Sequence, residues 1–417
     1  MKCRISNGEL SPLIDLGNHC ISDFPTSIKE DAPRSPLKVG MGSSGLVQLF
    51  DTPDQDALYK EYWYRSGTNA SMKKELTDIV ESAKTWVKLE EGDTVLDIGC
   101  NDGTLLKNYH SDIHTVGFDP AQNLAEQALY HAETLVSDYF TAEEYKAESA
   151  KIITSIAMFY DLPDPRKFLR DIKDVLHPEG IWVVQMSYTP LMLKQNAFDN
   201  ICHEHLEYYT FETFFNLVHE EDFRVLDVEL NTTNGGSFRV YLDHPSAPQK
   251  KFSFEQDVAD LRVESLWDWE RNESRERNGF STHQPYLDFA FHISRLKDQT
   301  LSLLTDLKSE GKKVYGYGAS TKGNTLLQYY GIGPDLIEKI ADKQVQKWGH
   351  LTAGSWIPIT GEQVMRQENP DYLFVFPWHF IDGFVAREVE FLKKGGRFIV
   401  PLPQLEVIDK DGSSSQG

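Results

Sequence analysis

Thr94-Val95-Leu96-Asp97-Ile98-Gly99-Cys100-Asn101-Asp102-Gly103 is the stretch that decides the fold. Its first five residues form a short apolar run that reads as a buried strand. Gly99 then permits a tight turn and close approach of a ligand, and a helix beginning after the turn would offer free N–H groups. Upstream, Met72, Leu76, Ile79, Val80, Ala83 and Val87 recur at helical spacing. Downstream, strand candidates at 115–118, 151–156 and 181–186 alternate with helix candidates at 124–132 and 166–175. That alternation predicts an α/β unit whose parallel sheet carries helices on both faces.

Asp119 stands 20 residues after Gly99, at the end of the next strand candidate, where an acid accepts hydrogen bonds from ribose hydroxyls. Asp138 ends a third segment and is placed to meet an adenine amine. Acids at successive strand ends, with Asn101 and Gly103 in the turn, suit a neutral-to-cationic nucleoside. A pyrophosphate prefers fewer carboxylates and G-x-G-x-x-G, which is absent. The comparison tips from NAD to S-adenosyl-L-methionine (SAM).

The rest of the 417 residues divides around this unit. Residues 1–71 are rich in Gly, Pro and Ser, with small strands at Leu13–Leu16 and Leu46–Phe50. Residues 72–245 form the cofactor-binding domain. Residues 246–408 open with a charged helical connector, such as Trp267 through Arg277, and continue as a second α/β block. Its strand candidates begin at Lys312 and recur at 337–341, 372–376 and 397–400. The polar tail, 409–417, is expected to be disordered. A net charge of −22 argues against nucleic acid as a substrate. Cys3, Cys20, Cys100 and Cys202 are too few and scattered for a disulfide framework. The start of the chain shows no apolar signal core, and no apolar run approaches a membrane span. A cytoplasmic enzyme without membrane partners is expected.

The densest polar cluster is Phe198-Asp199-Asn200-Ile201-Cys202-His203-Glu204-His205-Leu206-Glu207-Tyr208-Tyr209. It follows the fourth strand candidate, on the side of the sheet where ligands bind. A His there can remove a proton near neutral pH, and a neighbouring Glu can orient or tune it. His203 and His205 also suit a metal, but no third ligand stands at a familiar spacing, and none is expected. A hydrogen-bonded structural corner is the plain alternative. Tyr62-Trp63-Tyr64-Arg65-Ser66 either lines a substrate pocket or packs at a domain junction. Asn234-Gly235-Gly236-Ser237 reads as a hairpin turn. Gly316-Tyr317-Gly318-Ala319-Ser320-Thr321-Lys322-Gly323-Asn324 joins a strand to a helix. Its N–H groups, hydroxyls and Lys322 suit a phosphate, although it is not a Walker sequence.

Together these pieces resemble the three-domain sugar C-methyltransferases of deoxysugar biosynthesis. The resemblance also rests on Leu16-Gly17-Asn18, Gly45 through Leu49, and Gly331-Ile332-Gly333-Pro334-Asp335. It implies a small zinc-ribbon-like N-terminal domain, a Rossmann-like class I methyltransferase domain and a C-terminal Rossmann-like α/β domain. It further implies a nucleotide-linked 4-keto-6-deoxy sugar as substrate and a monomeric enzyme. His205 would remove the proton beside the ketone to give an enolate, which attacks the methyl group of SAM. Glu204 would polarise or position His205, and Tyr64 would hold the sugar or its enolate oxygen. His203, Asn234, Gly318, Ser320, Thr321 and Lys322 would bind the substrate, the last four at its phosphates.

Two departures from that family stand out. Its two Cys-x-x-Cys zinc pairs are here Cys3-Arg4-Ile5-Ser6 and Met41-Gly42-Ser43-Ser44. Three of four thiolates are gone, so the first domain is degenerate and no zinc is expected. The Tyr often found three residues before the catalytic His is here Cys202. Three other functions remain open on the sequence: an O- or N-methyltransferase, a nicotinamide-dependent oxidoreductase using the Gly316 block, and a sugar-nucleotide binding protein without catalysis.

Overall fold

The computed structural model describes residues 2–244, 246–247, 254–276, 279–410 and 414–416. The chain opens with β1 (Ser11–Cys20), β2 (Arg34–Met41) and β3 (Val47–Leu49), an antiparallel meander. Alternation along β1 turns Ile14 and Leu16 inward and leaves Asp15 between them exposed. Residues 1–71 are thus built on a regular sheet, and its fourth strand comes from far along the chain.

The second sheet carries the expected α/β unit. In chain order its parallel strands are β4 (Thr94–Ile98), β5 (His114–Phe118), β6 (Thr134–Val136), β7 (Ala150–Ile156) and β8 (Leu176–Ser187). The next strand, β9 (Glu207–Tyr208), leaves this unit and pairs antiparallel with β3, closing the first sheet. β10 (Arg224–Asn231) and β11 (Ser237–Asp243) then form the expected hairpin, and β11 runs antiparallel to β8. The spatial order is β10-β11-β8-β7-β4-β5-β6. β4 therefore lies where the chain order reverses, so a crevice opens at its carboxyl end, just at Gly99. The helix Ala70–Trp86 buries Met72, Leu76, Ile79, Val80 and Ala83 against one face, and Asn69 caps it by accepting from Ser71 N–H. The helix Pro165–Val175, capped by Asp164, covers the other.

Two expected helices of this unit are shortened. After the cofactor turn the chain makes only a 3-10 turn, Leu106–Asn108, because few residues separate Gly103 from β5 and the run Asn108-Tyr109-His110 breaks the pattern. The helix expected over 124–132 is confined to Ala125–Ala128.

The connector contains the helix Phe254–Glu276; Arg277, where it was expected to end, lies outside the described residues. Its Glu270 is buried and accepts from Tyr188 Oη, Phe211 N and Glu212 N, serving the orphan N–H groups of the helix Phe211–Glu220. The helix Gln284–Ser309 buries Tyr286, Phe289, Ile293, Leu296, Leu304 and Leu307 along one stripe.

The last unit contains β12 (Val314–Tyr317), β13 (Ile340–Asp342), β14 (Ile359–Gly361), β15 (Tyr372–Val375) and β16 (Arg397–Val400), all parallel. Antiparallel β17 (Glu406–Ile408) and β18 (Ser414–Gln416) extend it. A strand thus lies in the tail expected to be disordered; residues 411–413 and 417 are outside the described ones. One apolar core runs from the first sheet (Leu37, Val39, Leu49) through the long helix to Val314, Phe374 and Ile399. The Gln328 side chain fastens the two ends together, accepting from Cys20 N–H and donating to Cys20 C=O. Among the described residues no helix is long and apolar enough to cross a membrane.

Candidate active site

The crevice at β4 opens into a cavity of about 480 Å³. One end is the turn after β4. Gly99 has φ +73°, and a Cβ there would lie 3.2 Å from Met158, so a side chain would fill the cradle. Asp97 is buried and accepts from Thr154 Oγ1 at 2.6 Å; burial raises its carboxyl to about 7. Asp119 receives Asn101 N–H on Oδ2 and Ala121 N–H on Oδ1, both at 2.8 Å. Burial still holds it above the usual carboxylate range. Asp138 sits exposed at the rim. Between these acids the walls are apolar: Ile98, Phe118, Phe140 and Met158. A carboxylate-edged, apolar cradle fits a nucleoside bearing a cationic sulfonium.

Asn101 stands at φ +52° and straps a second segment to this turn. Its Oδ1 accepts from Ser66 N–H at 2.9 Å, and its Nδ2 donates to Tyr64 C=O at 3.1 Å. Asp102 Oδ2 accepts from Gly67 N–H at 2.8 Å. These bonds hang Tyr64 at the cavity mouth, 41% exposed. Gly103 is elsewhere: a Cβ on it would meet Ala128 and His131, so its lack of a side chain serves close packing, and it does not line the cavity.

The other end is the 198–209 cluster, held by three units at once. β9 fixes its end in the first sheet, with Arg4 Nη1 donating to Leu206 C=O and Leu49 C=O. Phe198 packs on Tyr329 and Tyr330 of the C-terminal unit, and Trp378 Nε1 donates to Asp199. Lys322 Nζ donates to Asn200 Oδ1.

His205 lines the cavity with its ring 4.4 Å from that of Tyr160. Its Nδ1 lies 2.9 Å from Asn200 C=O. A carbonyl only accepts, so Nδ1 carries the hydrogen and Nε2 keeps a bare lone pair. No described residue bonds to Nε2. Burial, helped by the Lys322 charge, lowers the imidazole to about 3, so it is neutral at ordinary pH. Glu204 was expected to orient this ring, and it does not. The Asn200 carbonyl takes that place. Glu204 instead lines the cavity with a buried Oε2 that has no partner, and its carboxyl is raised by burial. Asp161, beside it electrostatically, is raised further by burial and by the Glu204 charge.

The remaining expected ligands divide. Asn234, in the β10–β11 turn, lines the cavity, as do Thr321 and Lys322. His203 does not: its Nε2 bonds Ser35 C=O at 3.0 Å inside the core. Gly318 and Ser320 also lie outside it. Gly318 lacks a Cβ because Pro377 would be 2.7 Å away, and Ser320 Oγ caps the helix Thr321–Tyr330 by accepting from Gly323 N–H. The loop expected to cradle phosphate thus brings Thr321 and Lys322, and not Gly318 or Ser320, to this cavity. Cys202 is buried, its thiol pushed well up by desolvation. Asn200, Tyr160 and Asp161 carry no motif of their own, and only their convergence singles them out. Among the described residues no group of three or more His, Cys, Asp or Glu is arranged to hold a metal. Cys3, the surviving thiol of the degenerate pairs, lies against Ser44 Oγ at 3.4 Å.

Residues 232–403 match the family of the C-methyltransferase C-terminal domain, and residues 68–228 match a methyltransferase domain family. C-methyltransferase NovU of Streptomyces niveus is 30% identical over 379 residues, covering 88% of this chain and 86% of that protein. The 27-O-demethylrifamycin SV methyltransferase of Amycolatopsis mediterranei (strain S699) is 24% identical over 156 residues, covering 35% of this chain and 57% of its own length. Among solved structures, N-methyltransferase NodS from Bradyrhizobium japonicum WM9 in complex with S-adenosyl-l-homocysteine is 12% identical with a TM-score of 0.34, covering 43% of this chain and 89% of that one.

Proposed function

The chain belongs to the SAM-dependent C-methyltransferases, and from that membership we propose that it methylates a ring carbon beside the ketone of a nucleotide-linked 4-keto-6-deoxy sugar. The observation that supports this most is the bare Nε2 of His205, in one cavity with the acids of the cofactor turn. When bound, SAM supplies an electrophilic methyl group on sulfur. Asp97, Gly99, Asn101, Asp119 and Asp138 would hold it, the carboxylates accepting from its hydroxyls and amines.

His205 would take the proton from the carbon next to the ketone onto Nε2, leaving an enolate carbon facing the methyl group that bound SAM would supply, whose bond to sulfur would break with neutral S-adenosylhomocysteine departing. The imidazole is a weak base before substrate arrives, since burial disfavours its cation. Negative charge gathering on the enolate oxygen offsets that penalty in the transition state. Lys322 faces the same space and stabilises the oxygen's charge, while the Tyr64 hydroxyl, bonded to no described residue, is free to donate to it. Asn200 keeps both partners aligned, its carbonyl on His205 and its side chain on Lys322. Thr321 and Asn234 border the cavity where the sugar's remaining polar groups would lie.

The test is a reaction with methyl-labelled SAM and a panel of nucleotide-linked 4-keto-6-deoxyhexoses, read by mass spectrometry and carbon NMR. Label on a ring carbon is expected. Label on oxygen or nitrogen would discard the enolate and leave an O- or N-methyltransferase.

A further inference from the structure

On the far side of the cofactor turn lies a second cavity, about 490 Å³, that the reaction above does not use. Its walls are polar. Arg65, Lys73, Lys107 and His131 converge on it from three places: the segment after Tyr64, the helix Ala70–Trp86, and the connections flanking β5. None of Arg65, Lys73 or Lys107 forms an ion pair with any described carboxylate. In a chain of net charge −22, three cations without a carboxylate partner lining one hollow stand out.

The one acid in the wall, Asp102, is already occupied. Its Oδ1 accepts from Thr104 N–H and Oγ1, and its Oδ2 from Gly67 N–H. Its hydrogen bonds order the wall, and Arg65, Lys73 and Lys107 outnumber its single charge. Arg65 Nε is buried from solvent with no hydrogen-bond partner, a cost that a bound acceptor would remove. Thr68 and Thr104, which also line the hollow, add small polar side chains of the kind that surround anion sites.

We propose that this second cavity binds a phosphate-bearing anion, separately from the methyl-transfer site. Arg65 forks onto two oxygens, while Lys73 and Lys107 supply compact charge on either side. Occupancy also reaches the reaction. Arg65 is the neighbour of Tyr64, and the residues on either side of it, Tyr64, Ser66 and Gly67, are strapped to the turn through Asn101 and Asp102. An anion that pins Arg65 steadies Tyr64 at the mouth of the first cavity.

The anion could be free phosphate or the diphosphate of a nucleotide, and one set of titrations separates the two. The full chain is titrated by calorimetry with inorganic pyrophosphate and with a nucleoside diphosphate, in wild type and Lys73→Glu/Lys107→Glu. Both lysines of the double variant are exposed, so folding is preserved; unchanged S-adenosylhomocysteine affinity checks this. Stoichiometric pyrophosphate binding is expected, weakened at least about tenfold by the double charge reversal. If the charge reversal weakens pyrophosphate binding but leaves nucleoside diphosphate binding intact, the site takes free anions on its own. If it weakens both, the nucleotide's diphosphate reaches the second cavity. No pyrophosphate binding, or binding that the charge reversal leaves within about twofold, overturns the proposal.

Discussion

The main-chain carbonyl of Asn200 lies 2.9 Å from His205 Nδ1, while the side chain of the same Asn200 receives the ammonium of Lys322. One residue of the 198–209 cluster thus fixes a tautomer with its backbone and a cation with its side chain. The two functions separate by mutation. Asn200→Ala keeps the carbonyl and loses the Lys322 contact, so kcat is expected to fall about tenfold with the base still present. His205→Ala removes the base and should lower kcat by about 10²- to 10⁴-fold, while calorimetric affinity for S-adenosylhomocysteine stays unchanged. Normal turnover in His205→Ala would discard the assignment of the base.

Acid should affect stability before it affects the base. His205 and His379 are lowered to about 3 and His19 to about 4, each chiefly by burial. Above pH 6.5 all three are neutral both folded and unfolded. Below it the unfolded chain takes up protons that the fold refuses, so their contribution falls steadily toward pH 3 to 4. The kcat profile, followed from pH 8 to 5.5, should show no acid limb near 6.5. Such a limb would mean that His205 titrates freely.

Asp97 has the opposite sign. Its carboxyl is raised to about 7, so the fold favours the protonated form. That contribution is complete below about pH 4 and is lost as pH rises through 7. Asp97→Asn retains an acceptor for Thr154 and removes the buried charge. Its Tm should gain on wild type at pH 8 and show little difference at pH 4, while cofactor affinity falls at both. A Tm difference that does not change with pH would count against the buried charge.

Asn101→Gly isolates the strap on Tyr64. Glycine accepts φ +52° without strain, so only the bonds to Ser66 N–H and Tyr64 C=O are lost. Each such bond is worth about 1 kcal/mol, so KM for the acceptor should rise roughly tenfold or somewhat more with little change in Tm. A Tm drop of several degrees with KM unchanged would instead make Asn101 a purely structural residue.

Glu270→Ala tests the connector. It strands the N–H groups of Phe211 and Glu212 and the Tyr188 hydroxyl inside the protein. A loss of about 2 to 4 kcal/mol in urea unfolding is expected. A loss under about 0.5 kcal/mol would show that water replaces the carboxylate.

Sequence alone determined the elements whose cause is local. The run Thr94–Ile98 with Gly99 behind it marks a strand and a tight turn from neighbouring positions alone, because a short apolar run bounded by a residue able to take φ +73° is a local pattern, although β5 and β7 complete its pairing. The 20-residue step to Asp119 and the helical spacing of Met72 through Ala83 are of the same kind. So were the α/β class and the candidacy of His205 and Lys322. Tertiary structure decided what depends on direction. His203 and His205 are two residues apart, yet one ring is locked on Ser35 in the core and the other faces the cavity. The pairing of Glu207–Tyr208 with the first sheet, which turns that loop, joins residues about 160 positions apart. The Gly316 loop has the composition of a phosphate cradle, but Pro377 and Gly323 use up its glycine and its serine. The second, basic cavity is assembled from Arg65, Lys73 and Lys107, which share no spacing or motif. Charges brought together only by folding leave no periodic trace in a sequence, whereas strands and turns do.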